Sequence, residues 1–305
     1  MRVSLFLPTA TILEEGQNAG PALQSIARTA EAVGFDACNL TDHPAPTAAW
    51  RRSHGHDAFD PFTGLGYIAA ATSRLRLHTH ILVLPYRNPL LTAKCAASLD
   101  FLSGGRLTLG IGSGYMEGEY DALGVDFAAR GKIMDESLDV LKLAWSEEEV
   151  VYEGSNFRAV GNLPRPLPLQ KPHPPIWGGG NSAPAIRRAA EKCDGWSPFF
   201  TPGGRAQNAR TDDLSSVDGL RGKIAILREH LARLGKDRFD ICVALPVFAS
   251  KRTRDEAQRL VDVAGELSDA GITWTLGNMP HKGCADLIEA IGWYGAEVLP
   301  KIHAM

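Results

Sequence analysis

What most constrains this chain is a beat. Short apolar runs rich in Val, Ile and Leu alternate with longer segments of helical period, eight times over 305 residues. The strand-like runs fall at 2–7, 36–40, 75–84 and 106–111, then at 175–177, 195–199, 239–248 and 273–276. After the first run, Leu23, Ile26, Ala27, Ala30 and Val33 form one helical stripe, and Gly34 stands where a helix end favours a positive φ. Asp60-Pro61 and Asn88-Pro89 each pair an N-cap residue with a first-turn proline, so each opens a helix. Further helices are expected at 135–145, 183–191, 220–234, 255–270 and 284–298. Runs that are apolar on both faces, joined by helical crossovers, require a parallel sheet. Eight such units at this length predict an α/β fold, a closed (β/α)8 TIM barrel rather than an open doubly wound sheet.

Two stretches interrupt the beat and are read as insertions after strands four and six. Residues 146–174 are irregular and proline-rich, with a short hairpin at 150–152 and 157–160, and residues 201–219 form a long polar loop. No shift in composition splits the chain, so 1–305 is read as a single domain. Its 32 Lys+Arg against 35 Asp+Glu exclude a strongly basic nucleic-acid binder and an acidic disordered tail. The five cysteines contain no CxxC pair, and their odd number cannot close a disulfide framework, which points to a reducing compartment. No apolar run approaches the ~20 residues needed to cross a bilayer. The opening Met1 to Pro8 reads as a first buried strand rather than a signal peptide, placing the protein in the cytoplasm.

In such a barrel, chemistry belongs to the C-terminal ends of the strands. There the second strand ends in Asp42-His43, and an imidazole beside a carboxylate suits proton transfer near neutral pH. The third carries His78-Thr79-His80-Ile81; His80 is the one expected at the mouth, with His78 deeper. Neither these histidines nor His54 and His56 have a carboxylate or cysteine at ligand spacing, so no metal site is expected. The fourth strand runs into Gly110-Ile111-Gly112-Ser113-Gly114-Tyr115, whose spacing fails the dinucleotide fingerprint. It suits either a flat ligand laid against the backbone or a plain glycine-rich turn. The fifth ends in Gly178-Gly179-Gly180-Asn181-Ser182 before a helix, which is either a tight turn or a phosphate cradle at a helix N-terminus. Ser103-Gly104-Gly105-Arg106 precedes a strand, at the stability-bearing end, and receives no catalytic role.

Taken together, residues 60–77, 82–94, 99–114 and 174–180, with Asp194-Gly195-Trp196, resemble the bacterial luciferase-like monooxygenase superfamily, most of all its coenzyme F-420-dependent oxidoreductases. The resemblance implies a deazaflavin or FMN at the barrel mouth. Its ring would lie against Thr79, His80 and Ile81, with a non-proline cis peptide at His80–Ile81. Ser113, Gly114 and Tyr115 would contribute to the cofactor site, and the phosphate would sit at Gly178, Gly179, Gly180 and Asn181. Asp42 and His43 match a pair at the reaction centre of sugar-phosphate-oxidising relatives. Those relatives carry a glutamate where this chain has Tyr115, and Glu117 or Glu119 would need a shifted register to replace it.

The expected activity is hydride transfer between coenzyme F-420 and a small organic substrate, with residues 201–219 as a lid. The alternatives are an FMN-dependent monooxygenase that activates O2, served by a separate flavin reductase, and a non-catalytic accessory barrel. Arg187 and Arg188 are candidates for a basic groove that would take an acidic coenzyme tail. A homodimer is implied by the resemblance alone.

Overall fold

The computed structural model describes residues 1–53, 55–146, 148–201 and 210–305. Its elements in chain order are β1 (Arg2–Phe6), α1 (Thr9–Leu13), α2 (Ala19–Val33), β2 (Ala37–Leu40), α3 (Ala48–Ser53), α4 (Pro61–Ala69), β3 (Arg76–Val83), α5 (Pro89–Leu102) and β4 (Leu107–Gly112). Then come α6 (Glu117–Ala122), α7 (Arg130–Ala144), β5 (Val150–Glu153), β6 (Arg158–Asn162), β7 (Ile176–Gly179), α8 (Ala183–Lys192) and β8 (Gly195–Ser197). The chain ends with α9 (Val217–Arg233), β9 (Asp240–Ala244), α10 (Arg254–Asp269), β10 (Trp274–Gly277), α11 (Cys284–Glu297) and α12 (Leu299–His303).

Eight strands close into a barrel in the order β1-β10-β9-β8-β7-β4-β3-β2, every neighbour parallel. This is the expected (β/α)8 TIM barrel. The antiparallel β5–β6 hairpin stands apart from it, within the insertion after the fourth barrel strand. The insertion after the sixth, β8, lies only partly among the described residues, because 202–209 fall outside them. A third insertion was not anticipated: the segment between β2 and α4, which holds α3.

Local chemistry sets the helix ends as expected. The Asp60 side chain accepts from the Thr63 N–H, and Asn88 from Leu90 and Leu91, each ahead of a proline in the first helical turn. Gly34 ends α2 with φ +101°. The seventh strand-like run stops short of its predicted end, with β9 finishing at Ala244 just before Leu245-Pro246. Inside the barrel pack Ala37, Trp177, Cys242, Trp274 and Leu276; a separate, larger apolar layer lies between barrel and helices. At the N-terminal end Arg106 is buried and donates to the carbonyls of Ala69, Thr72, Leu75 and Ser103, the structural task expected of that end. All five cysteines are free. No described helix is long and apolar enough to cross a membrane.

Candidate active site

The floor of the mouth is set by an irregularity in β3. Thr79 pairs with Leu109 of β4 and Leu82 with Ile111, so His80 and Ile81 together face the single residue Gly110. The His80–Ile81 peptide is cis, where the resemblance implied it. Gly110 is obligatory here, because a Cβ would lie 2.1 Å from the Thr79 carbonyl oxygen. The Thr79 hydroxyl also donates to the Gly110 carbonyl at 2.7 Å. Ile81 spreads over the strands beyond. A Cβ on Gly179 would come within 2.5 Å of its Cδ1, and one on Gly112 within 3.1 Å of its Cγ2. Bare glycine backbone on β4 and β7 thus lets Ile81 lie low across the mouth.

His80 has partial exposure, with Nδ1 3.4 Å from the Ser197 hydroxyl. Burial pushes its imidazole down to about 4, so it is neutral at pH 7. His78 sits deeper, its ring 4.6 Å from Trp177 and edge-on, and burial pushes it well below the usual range. No group of His, Cys, Asp and Glu among the described residues can hold a metal. His54 lies outside those residues.

His43 stands at the rim in an aromatic cage. Its ring centroid is 4.6 Å from Trp50, 5.1 Å from His56 and 6.2 Å from Tyr115. His56 is anchored to the Thr41 hydroxyl at 3.1 Å, and burial, with His43 alongside, lowers its affinity for a proton. Behind the cage, His43 Nδ1 lies 3.6 Å from Oε2 of Glu119, whose side chain is 1% exposed. Ala45 N–H donates to Glu119 Oε1 at 3.2 Å, and the Tyr86 hydroxyl to Oε2 at 2.9 Å. Burial and the Glu119 carboxylate push the Tyr86 phenol far up, so it remains a donor.

Asp42 does not share this position. Its carboxylate accepts from Val83 N–H at 3.0 Å and from Arg87 at 3.0 Å, and Arg87 also bridges to Asp60. Burial pushes the Asp42 carboxyl up, while Arg87 and the Val83 N–H oppose the shift. The two neighbouring side chains thus take different partners, and only the imidazole of the pair reaches the cage.

Gly114, with φ +66°, leaves room for Val83, and the Ser113 carbonyl accepts from the Tyr120 hydroxyl. Glu119, which would need a shifted register to replace Tyr115, takes a different place. Helix α6 turns the chain back, and Glu119 arrives behind His43 while Tyr115 forms the cage wall. Trp50 and Tyr86 are members of the site that sequence reasoning missed; His56 was weighed only as a metal ligand, and Glu119 only as a replacement for Tyr115. The length of the segment between β2 and α4 was a signal for Trp50 and His56. Nothing local marked Tyr86.

The Gly178–Asn181 turn is tighter than an open cradle. Gly180 has φ +104°. Asn181 is fully buried, its amide nitrogen donating to the carbonyls of Phe199 and Asp212 and its oxygen accepting from Phe199 N–H. Its own N–H donates to the Thr211 hydroxyl. Asn181 therefore braces the ends of β7 and β8, and its side chain is not free for an anion. Ser182 caps α8 without a side-chain bond, so the first-turn N–H groups of that helix have no helix acceptor. Arg188 is locked to Asp135 at 2.6 and 3.0 Å, which removes it from any groove, whereas Arg187 is exposed.

A closed parallel barrel with its histidines, glycines and one helix N-terminus gathered at the C-terminal rim has the layout of a barrel enzyme. Residues 1–270 match the model of the luciferase-like monooxygenase family, and the chain belongs to that family of oxidoreductases and monooxygenases. An uncharacterized protein of Mycobacterium tuberculosis is 28% identical over 272 residues, 85% of this chain and 88% of its own. The FMNH2-dependent dimethylsulfone monooxygenase of Pseudomonas putida is 32% identical over 177 residues, 57% of this chain and 46% of that one. Among solved structures, the coenzyme F-420 dependent tetrahydromethanopterin reductase of Methanopyrus kandleri superposes with a TM-score of 0.76 at 17% identity, covering 99% of both chains; that likeness concerns the fold.

Proposed function

We propose that this protein transfers hydride between coenzyme F-420 and a small organic substrate at the barrel mouth. The observation that carries the reading is the caged imidazole of His43, with Nδ1 turned to a buried carboxylate and Nε2 making no hydrogen bond to a described residue. The residues present fit such a coenzyme. Ile81, over the bare backbone of Gly112 and Gly179, offers a flat apolar floor for a ring, and the uncapped first turn of α8 with Ser182 suits a phosphate. When bound, the deazaflavin supplies the ring carbon that gives or takes hydride. Removing hydride from a carbon that bears a hydroxyl leaves a proton on the oxygen, and His43 Nε2 takes it; in the reverse direction it returns it. Trp50 and Tyr115 wall the site against water, and neutral His80 adds no competing charge beneath it. A homodimer and a cytoplasmic setting belong to the same proposal.

An FMN-dependent monooxygenase, supplied by a separate flavin reductase, is the second reading. The ion pair of Arg188 with Asp135 favours it, since one of the two cations available to an acidic coenzyme tail is already engaged. A fluorescence-quenching titration of the purified protein with coenzyme F-420 and, separately, FMN decides. Micromolar binding of coenzyme F-420 is expected. Binding of FMN alone selects the second reading, and binding of neither leaves an accessory barrel.

A further inference from the structure

We propose that Glu119 is the positioning residue of His43: its carboxylate holds the proton on Nδ1, keeps Nε2 free as the proton acceptor, and stabilises the imidazolium once formed. The role attributed to His43 rests on the reading above; the contact between the two side chains does not.

The geometry supplies four arguments. First, His43 Nδ1 is fully buried and hydrogen-bonded to none of the described residues, with Glu119 Oε2 3.6 Å away. That is a few tenths of an ångström beyond a hydrogen bond, a looseness usual in a catalytic pair before its ligand arrives. Second, the groups touching Glu119 are donors, Ala45 N–H on Oε1 and the Tyr86 hydroxyl on Oε2. A carboxylate so placed acts as an acceptor, and the remaining lone pairs on Oε2 are available to an N–H. Third, an imidazole that donates through Nδ1 is left with an unprotonated Nε2, the tautomer a general base requires. Fourth, the other charged groups near His43 are spoken for. Asp42 faces Arg87 and Val83 N–H, Asp60 pairs with Arg87, Asp57 with Arg51, and Glu117 with Arg210. His56 leans on His43 edge-on and is held by Thr41, and Tyr115 closes the side toward β4. Among the described residues, Glu119 is the carboxylate that reaches the ring.

The test is NMR of the 15N-histidine-labelled protein without coenzyme, reading the tautomer of His43 and its titration in wild type, Glu119→Gln and Tyr86→Phe. In the wild type the Nδ1–H form is expected. Glu119→Gln should lose that preference and lower the proton affinity of His43 by about tenfold, the effect of removing one opposite charge at this range. Tyr86→Phe keeps the carboxylate but deletes a donor that competes for it, so the affinity of His43 should shift the other way. Unchanged tautomer and titration in a folded Glu119→Gln overturn the proposal. Should that variant fail to fold, a fall or no change in Tyr86→Phe overturns it equally. If neither coenzyme binds, the functional reading fails, yet the tautomer measurement still decides the pair.

Discussion

Replacing Gly110 with alanine should cost far more stability than its single methyl suggests. The added Cβ would sit 2.1 Å from the Thr79 carbonyl oxygen and 2.9 Å from Nε2 of His78. The first neighbour is backbone in a fully buried strand residue, so relief requires β3 and β4 to part by about an ångström. Overpacking at its upper end costs about 3 kcal/mol. Parting the strands also breaks the bond from the Thr79 hydroxyl to the Gly110 carbonyl, worth about 1 kcal/mol. A chain of 305 residues unfolds with an entropy of about 0.6 kcal/mol per kelvin, so about 4 kcal/mol lowers Tm by about 6 °C. Scanning calorimetry at a matched scan rate measures it. Gly66→Ala is the control: it lies inside α4, nothing stands within 4 Å of its Cβ, and helix propensity should raise Tm by about 1–2 °C. A Gly110→Ala protein melting within about 2 °C of wild type would refute the claim that the bulge requires bare backbone there.

Two further outcomes follow from the same geometry. Gly179→Ala meets the tip of Ile81 at 2.5 Å, which can swing aside, and the Ile111 carbonyl oxygen at 3.2 Å, which must give by a few tenths of an ångström, so Tm should fall by less than in Gly110→Ala, by about 3 °C. The displaced Ile81 should then rise into the mouth and weaken coenzyme affinity by about tenfold or more in the quenching titration, while unaltered affinity argues against Ile81 as the floor. His80, pushed down to about 4 from an ordinary value near 6.5, binds a proton more readily unfolded than folded. Its stabilisation is thus whole above about pH 6.5 and is lost as pH falls toward 4, up to about 3 kcal/mol in all. Denaturant melts across that window should show the loss in wild type and a shallower one in His80→Gln; equal slopes would mean that the imidazole is not the group being charged.

Much of the architecture is legible along the chain because it depends on neighbours. The eightfold beat, the glycine ending α2 and the Asp-Pro and Asn-Pro openings of α4 and α5 are matters of period and backbone preference, and each appears in the barrel as read. Placement of His43, His80 and the glycines at the strand ends follows too, since position along a barrel strand already says which rim a residue occupies. Partner choice is another matter. Asp42 and His43 adjoin in sequence yet diverge in space, Asn181 spends its amide on Phe199 and Asp212, and Glu119 reaches His43 only because α6 folds back. A hydrogen bond between distant segments depends on the path of every loop between them. Periodicity and propensity do not encode that path; it settles when the buried donors and acceptors of the closed barrel pair off.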